Sequence, residues 1–260
     1  MTRRENAPGG APCWADLWTS DVDRARQFYG ELFGWTAEEP DPNYGGYFTF
    51  TLRGERIAGC MGDMGPDMKA NNTWKPYLQT DDTAKTLEVA EAHGAQVAAG
   101  SMTVGDLGVQ SVIIDPGGAT VGTWQPLSFQ GFTVIGEHGA PSWFELHTRD
   151  YDRALDFYRS VFPWETNVAS DSADLRYTIF RSSTGGDEVG GVMDATAWRS
   201  EGTPDEWSVY WEVDNAEAAA DNAMTLGGTI VQGPDQTPYG VLVLCADPMG
   251  AQFKLRTSPK

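Results

Sequence analysis

The chain has little positive charge. Its 260 residues include 18 Lys and Arg against 37 Asp and Glu, which gives a formal net charge of −19. A field of that sign repels the phosphates of nucleic acids and the anionic headgroups of membranes. Neither nucleic acid nor a membrane is therefore expected as a partner, although the charge of a single pocket can differ from the surface average.

Cysteine, histidine and long apolar runs are also scarce. The stretch MTRRENAPGG has no apolar core of the kind found in signal peptides, and no segment has the length and hydrophobicity of a membrane span. With three histidines, a His-rich metal site is hard to assemble. The cysteines form no CxxC pair, so they are predicted to be reduced, mostly buried thiols of a cytoplasmic protein: Cys13, Cys60 and Cys245.

What the sequence does have is an internal repeat. The segment PCWADLWTSDVDRARQFYGELFGW at 12–35 matches PSWFELHTRDYDRALDFYRSVFPW at 141–164 with a constant offset. Each copy begins as a strand, and an Asp (Asp21 or Asp150) then caps an amphipathic helix. Because side chains alternate along a strand, three residues of each first strand share one face. They are Trp14, Asp16 and Trp18 in one copy, and Trp143, Glu145 and His147 in the other.

Later strands, helices and turns recur in the same order in both halves. The pattern predicts an α+β fold with two tandem domains at 12–128 and 141–257, each a pair of βαβββ units whose curved mixed sheets surround clefts. Residues 1–11 and 258–260 are predicted to be tails, the first of them flexible, and the Gly-rich stretch 129–140 a linker. Since the duplication already pairs the units, both a monomer and a homodimer remain open.

The combination of motifs resembles the vicinal oxygen chelate superfamily. The motifs are the strand, the capping Asp, an FY dipeptide, LFGW or VFPW, and DPGG or DPMG near the end of each half. That superfamily includes glyoxalase I, bleomycin-resistance proteins, fosfomycin-resistance enzymes and extradiol dioxygenases. The resemblance covers nearly all of residues 12–256 and implies two glyoxalase-like domains. It does not fix the activity, because this fold hosts isomerases, transferases, dioxygenases and binding proteins that do no chemistry.

Metal-binding members of that superfamily carry three ligands at matching positions. In this chain the resemblance places residues there that do not ligate, since indoles cannot coordinate and an ammonium repels a divalent cation. Neither a metal nor another cofactor is therefore expected. The residues at these positions are Trp14, Trp74 and Gly122 in the first half, and Trp143, Trp207 and Lys254 in the second.

In many members, a cleft takes its first strand from one domain and its fifth and eighth strands from the other. The resemblance therefore implies two clefts built across the halves, rich in indole rings that suit a planar aromatic ligand held by stacking. One cleft would hold Trp14, Asp16 and Trp18 against Trp207, Trp211, Gln252, Lys254 and Arg256. The other would hold Trp143, Glu145 and His147 against Trp74, Thr120, Gly122 and Trp124.

Two functional interpretations follow from these clefts. The first is metal-independent binding of a small hydrophobic, planar aromatic metabolite or antibiotic. The alternative is an enzyme, such as a lyase, isomerase, cyclase or oxygenase-type catalyst, with Glu145 and His147 or Asp16 as acid–base groups. Two further interpretations stay open: an unconventional metal site made from these same three residues, and tryptophans that fill the cavity as core.

Overall fold

The computed structural model describes residues 4–66, 68–182 and 186–259. The first half contains β1 (Pro12–Trp18), α1 (Val22–Phe33), β2 (Thr36–Ala37), a 3-10 turn (Pro42–Tyr44), β3 (Phe48–Leu52), β4 (Glu55–Met61), β5 (Thr73–Gln79), α2 (Thr83–Ala92), β6 (Gln96–Val104), β7 (Gly108–Ile114) and β8 (Thr120–Pro126). The second half contains β9 (Pro141–Thr148), α3 (Tyr151–Val161), β10 (Glu165–Asp171), β11 (Arg176–Arg181), β12 (Glu188–Asp194), β13 (Glu206–Glu212), α4 (Ala216–Thr225), β14 (Thr229–Thr237), β15 (Gly240–Ala246) and β16 (Gln252–Thr257).

Each half forms one eight-stranded mixed sheet. The strand orders are β2-β3-β4-β1-β5-β8-β7-β6 and β10-β11-β12-β9-β13-β16-β15-β14. At the centre, β1 pairs antiparallel with β5 and β9 with β13, while β4 lies parallel to β1 and β8 parallel to β5. The predicted α+β fold of two tandem domains, each a pair of βαβββ units, is confirmed.

The predicted Asp cap of the first helix forms in one half and not in the other. Asp21 Oδ1 accepts a hydrogen bond from the Arg24 amide at 3.0 Å, and Gly34 ends α1 in the left-handed conformation with φ 71°. Asp150 occupies the equivalent position before α3, but its side chain makes no capping hydrogen bond. The predicted cap is therefore confirmed for α1 and wrong for α3.

The helices lie between the two sheets and join them. Tyr29 on α1 donates to Asp247 Oδ2 at 3.0 Å, and Tyr158 on α3 donates to Asp115 Oδ2 at 2.8 Å. The FY dipeptide of each half thus bonds the DPxG turn of the other half. Phe28 also packs against Phe253, with 6.1 Å between ring centroids. The two halves consequently share one core.

The ends of the chain lie partly outside the described residues. Residues 1–3 of the predicted N-terminal tail and Lys260 are not among them. Within the described part, Trp164 Nε1 donates to the Gly10 carbonyl at 2.8 Å and the Gly10 amide donates to the Gln79 carbonyl at 2.9 Å. All three cysteines are buried and free. The described residues include no helix with the length and apolar character needed to cross a membrane.

Candidate functional site

The central strands present two faces with different roles. In the first half, β1 and β5 pair Trp14 with Tyr77 and Asp16 with Lys75, so these four side chains share the concave face of the curved sheet. In the second half, β9 and β13 place Trp143 opposite Tyr210 and Glu145 opposite Ser208 on the equivalent face. The opposite face of each sheet packs on the helices. A ligand in the fold's cleft therefore meets only the concave set.

Three of the predicted ligand-binding tryptophans lie on the wrong face for that role. Trp74 donates to Tyr29 OH at 3.0 Å, and Trp207 donates to Tyr158 OH at 2.8 Å, both within the helix-packed core. Trp211 is 0% exposed and packs 5.1 Å from Trp74. Their placement in the clefts is wrong, because a shift of one residue along a strand moves a side chain to the other face. The concave positions belong to Tyr77 and Tyr210 instead.

The second half gathers three titratable side chains around one carboxylate. Glu145 Oε1 accepts hydrogen bonds from His147 Nε2 at 2.6 Å, Tyr210 OH at 2.6 Å and Lys254 Nζ at 3.0 Å. Lys254 Nζ also donates to Tyr210 OH at 2.6 Å and lies 3.2 Å from His147 Nε2. Glu145 and His147 are 3% and 5% exposed. The register of β13 with β16, which pairs Tyr210 with Lys254, brings the ammonium to this point.

The charges of this cluster stabilise one another. Burial raises the pKa of Glu145, but Lys254 and the hydrogen bonds of His147 and Tyr210 outweigh it and hold that pKa well below its usual range. Burial and the Lys254 ammonium lower the pKa of His147, against the opposing effect of Glu145. At neutral pH the cluster thus contains a carboxylate and a neutral imidazole. Because the carboxylate only accepts, His147 Nε2 carries the proton and Nδ1 is the basic nitrogen.

Aromatic side chains surround this cluster. Trp143 Nε1 donates to Tyr177 OH at 2.9 Å, and burial and the Glu145 carboxylate raise the pKa of Tyr177. Trp198, which is 53% exposed, meets the His147 ring edge-to-face with 5.0 Å between centroids. The site residues predicted from the sequence do not include Tyr177, Trp198 or Tyr210. For Tyr210 the alternation of β13 was a usable signal, whereas Trp198 lies in a loop and only the tertiary fold places it.

Lys254 and Arg256 lie in the sheet of the second half and not opposite Asp16 of the first half. Both were predicted to face Asp16 of the other half, but β16 belongs to the sheet that contains Glu145. Lys254 bonds Glu145, and Arg256 Nε donates to the Tyr239 carbonyl at 3.3 Å. The prediction of clefts built across the halves is therefore wrong, since the strands of each cleft pair within one half.

The first half keeps its carboxylate among neutral donors. Asp16 Oδ1 accepts from Trp14 Nε1 at 3.0 Å and from Tyr47 OH at 2.9 Å. Phe129 of the linker covers Trp14 edge-to-face at 4.9 Å and accepts at its carbonyl from Trp124 Nε1 at 2.9 Å. These contacts fill the Trp14 end of the face with protein atoms.

The other end of that face is more open. Trp18, partly exposed, donates from Nε1 to the Gly62 carbonyl at 2.8 Å. Phe129, at the Trp14 end, borders a separate cavity of about 360 Å³ that is lined by Glu5, residues 54–56, residues 128–131 and Thr133. None of the predicted site residues lines it.

The residues at the superfamily's metal positions do not fit a divalent cation. Of these positions, Trp74 and Trp207 lie in the helix-packed core. Those on the concave faces carry the Trp14 and Trp143 indoles, Gly122 and the Lys254 ammonium, which repels a cation. Across residues 4–66, 68–182 and 186–259 no group of three or more His, Cys, Asp or Glu side chains is arranged to hold a metal ion. The three residues of an unconventional site are also divided, because Asp16 bonds Trp14 in the first half whereas Glu145 bonds His147 and Lys254 in the second.

Comparison with known proteins gives consistent matches along the chain. Residues 13–123 and 140–255 match the model of the Glyoxalase/Bleomycin resistance protein/Dioxygenase superfamily. CFP32 of Mycobacterium bovis, provisionally named a glyoxylase, is 35% identical over 266 residues, covering 100% of both chains. The anthracycline biosynthesis protein DnrV of Streptomyces peucetius is 31% identical over 262 residues, covering 95% of this chain and 92% of its own.

Solved structures give the same fold. The Mn(II)-bound glyoxalase of Novosphingobium aromaticivorans has a TM-score of 0.65 at 15% identity, with 96% of this chain and 82% of that chain covered. The 2,3-dioxygenase LapB of Pseudomonas sp. KL28 has a TM-score of 0.63 at 14% identity, with 98% and 94% covered. At these identities the likeness concerns the fold and not the chemistry.

Proposed function

Because the chain belongs to the glyoxalase/bleomycin resistance protein/dioxygenase superfamily, we propose that it binds a small planar aromatic compound on the concave face of its second half, without a metal ion. The observation that carries the proposal is the position of Lys254. Its ammonium stands at a superfamily ligand position and contacts Glu145 and Tyr210. It supplies a fixed positive charge where relatives would hold a cation, and can donate to a carbonyl or phenolate oxygen of the ligand.

The aromatic side chains of this half favour a planar ligand. Trp143 is partly exposed and Trp198 is 53% exposed, so both offer ring surface beside Lys254 and His147. Stacking on such rings stabilises a complex by roughly 0.5–1.5 kcal/mol for each ring beyond the burial of apolar area. The similarity to an anthracycline biosynthesis protein also supports a fused-ring ligand.

Equilibrium dialysis against anthracyclines, flavins and simple phenols, in buffer with EDTA, tests the proposal. We expect saturable binding of at least one planar class that EDTA does not weaken. The double variant Glu145→Gln/Lys254→Met removes the charged pair together and should lower affinity by about tenfold or more, since a charge-assisted hydrogen bond contributes roughly 1.5–3 kcal/mol.

Trp18→Leu provides the matched control, because Trp18 occupies the His147 position of the first half. It should leave the affinity unchanged. Binding that requires an added divalent metal, or no saturable binding across the panel, would overturn the proposal.

A second function, acid–base catalysis on the same ligand, is favoured by the hydrogen bonds of His147. The Glu145 carboxylate fixes its Nε2–H, which leaves Nδ1 as a base beside a bound carbonyl compound. Lys254 would then stabilise the oxyanion that forms when a proton leaves the adjacent carbon. If this role is correct, a substitution of His147 lowers the reaction rate even when the ligand still binds.

Solvent exchange measured by NMR separates this second function from binding. In D2O, the protein should accelerate deuterium uptake at the carbon next to the ligand carbonyl, and His147→Gln should abolish that acceleration while dialysis still shows binding. Exchange at the same rate in His147→Gln and in the unaltered protein would exclude the catalytic role and leave the binding role standing.

A further inference from the structure

The first half contains a lysine that the ligand site does not use. Lys75 lies on β5 directly opposite Asp16 of β1, on the concave face. It is mostly buried, and its Nζ lies 5.0 Å from the centre of the Tyr77 ring. Within the described parts of the chain, no hydrogen bond or ion pair engages Lys75 Nζ. The amine is therefore close to a carboxylate and an aromatic ring but is held by neither through a direct bond.

The other lysines differ from Lys75 in environment. Lys254 is held by Glu145 and Tyr210. Lys69 pairs with Asp63 at 2.7 Å on the surface, and Lys85 is exposed on α2. An uncommitted amine on a concave face can act as a nucleophile if it loses its proton, whereas an exposed ammonium remains protonated.

Burial favours the neutral form of this amine. Removal from water lowers the pKa of Lys75, and the Asp16 carboxylate opposes that shift only in part. Asp16 itself is fixed by Trp14 and Tyr47, so it cannot swing to form a close ion pair without breaking those bonds. A larger fraction of Lys75 than of a surface lysine is consequently nucleophilic near neutral pH.

We propose that Lys75 is a covalent carbonyl site, at which the amine condenses with an aromatic aldehyde to form an imine. The nitrogen lone pair attacks the carbonyl carbon, a C–N bond forms, and the oxygen takes a proton from the nitrogen to give a carbinolamine. The C–O bond then breaks, and the oxygen leaves as water with a second proton. Asp16 lies opposite Lys75, and its negative charge stabilises the iminium cation.

The ring side chains next to Lys75 favour an aromatic aldehyde. A Cβ at Gly122 would meet the Tyr77 ring at 2.1 Å, so the absence of a side chain there lets Tyr77 lie flat beside Lys75. Trp18, partly exposed, is the diagonal neighbour of Lys75 on the same face. An aromatic ring attached to the carbonyl carbon therefore finds the partly exposed Trp18 ring next to Lys75.

Reductive trapping tests the proposal on the intact protein. The protein is incubated at pH 7 with benzaldehyde and sodium cyanoborohydride, which reduces imines, and labelled lysines are quantified by peptide mapping. Because a lower pKa increases the neutral fraction of the amine, Lys75 should label severalfold faster than Lys69 and Lys85. Propanal, which lacks a ring, should show a smaller preference for Lys75.

Matched variants separate this site from the rest of the chain. Lys75→Arg keeps the charge and should remove the fast-labelling component, whereas Lys85→Arg should retain it. Glu145→Gln/Lys254→Met, which tests the ligand site of the second half, should leave Lys75 labelling unchanged, so the two proposals fail independently. Labelling of Lys75 at or below the rate of the two surface lysines in the unaltered protein would overturn the proposal.

Discussion

The two concave faces are built on the same scaffold and carry different chemistry. In each half a carboxylate on the first strand lies among phenol and indole side chains. The first half has Trp18 and Gly122 where the second half has His147 and Lys254. As a result, Asp16 is hydrogen-bonded by neutral donors, whereas Glu145 is bonded by an ammonium, an imidazole and a phenol.

The strands that carry these differences have the same order in the two sheets. A Cβ at Gly59 would meet Tyr47 OH at 1.9 Å, and a Cβ at Gly191 would meet Tyr177 OH at 2.0 Å. Both glycines therefore admit a phenol above the carboxylate. Because the strand order is the same, the difference in chemistry between the two concave faces lies in a few side chains. Substitutions of those side chains can therefore be compared between the halves.

Removal of the Lys254 charge should produce the largest change in stability among these substitutions. Lys254→Met leaves the Glu145 carboxylate, 3% exposed, without its cation, and we expect the free energy of unfolding to fall by about 3–5 kcal/mol. Glu145→Gln in the same chain should restore most of the loss, because no buried charge then remains. Urea unfolding monitored by circular dichroism measures both changes.

Removal of a lysine charge from the concave face of the first half is the control. Lys75→Met removes an amine that has no direct bond to Asp16, so the cost should stay below about 1 kcal/mol. Equal losses for Lys254→Met and Lys75→Met would mean that the two faces do not differ electrostatically as the hydrogen bonds indicate.

A second prediction concerns the two hydrogen bonds that join the halves, Tyr29 to Asp247 and Tyr158 to Asp115. The two aspartates differ in their acidic neighbours. Burial raises the pKa of Asp115 to about 6 from its usual 3.8, and the nearby Asp205 adds to the shift. Asp205 corresponds to Asn72 in the other half, where the pKa of Asp247 is also raised by burial. Because the folded chain holds this proton more tightly than the unfolded chain, the contribution of Asp115 to the free energy of unfolding falls as pH rises from about 4 to about 6.

Asp115→Asn should flatten that pH dependence. The amide oxygen can still accept from the Gly117 and Ala119 amides, as Asp115 Oδ1 does at 2.9 and 2.8 Å. We expect the decline between pH 4 and pH 6 to shrink by up to roughly 3 kcal/mol, the equivalent of a two-unit shift. Urea midpoints across this range measure it. An unchanged slope in Asp115→Asn would show that Asp115 is not the titrating group.

Most of the fold was predicted from the internal repeat. Most of the wrong site residues were assigned to the wrong face of a strand. The copies around Trp14 and Trp143 contain enough local signal to predict a strand, a capped helix and a duplicated sheet. Trp74 and Trp207 were assigned to the cleft because the resemblance places a metal ligand at the start of the fifth strand of each half. Their partners across the strands, Leu17 and Leu146, face the core instead. The register between distant strands is a tertiary property, so the single sequence left those faces undetermined.

The candidate site was predicted in part. Glu145, His147 and Asp16 lie on the predicted concave face, because period-two alternation within one short strand is a local property. The meeting of Lys254 with Glu145 depends on β16 joining β13 within the same half, which no local pattern encodes. Trp198 reaches His147 from a loop, where neither helical nor strand periodicity constrains the side chain.

The smallest predicted effect concerns Trp198, and it tests which face binds the ligand. Because Trp198 is 53% exposed, Trp198→Ala should change the free energy of unfolding by no more than about 0.5 kcal/mol. The loss of one stacking ring beside His147 should weaken binding of a planar ligand by about 0.5–1.5 kcal/mol, a factor of roughly two to twelve, in equilibrium dialysis. Trp18→Ala, the change at the His147 position of the first half, should leave that affinity unaltered. If Trp18→Ala weakens binding and Trp198→Ala does not, the ligand occupies the first half and the assignment of the two faces is reversed.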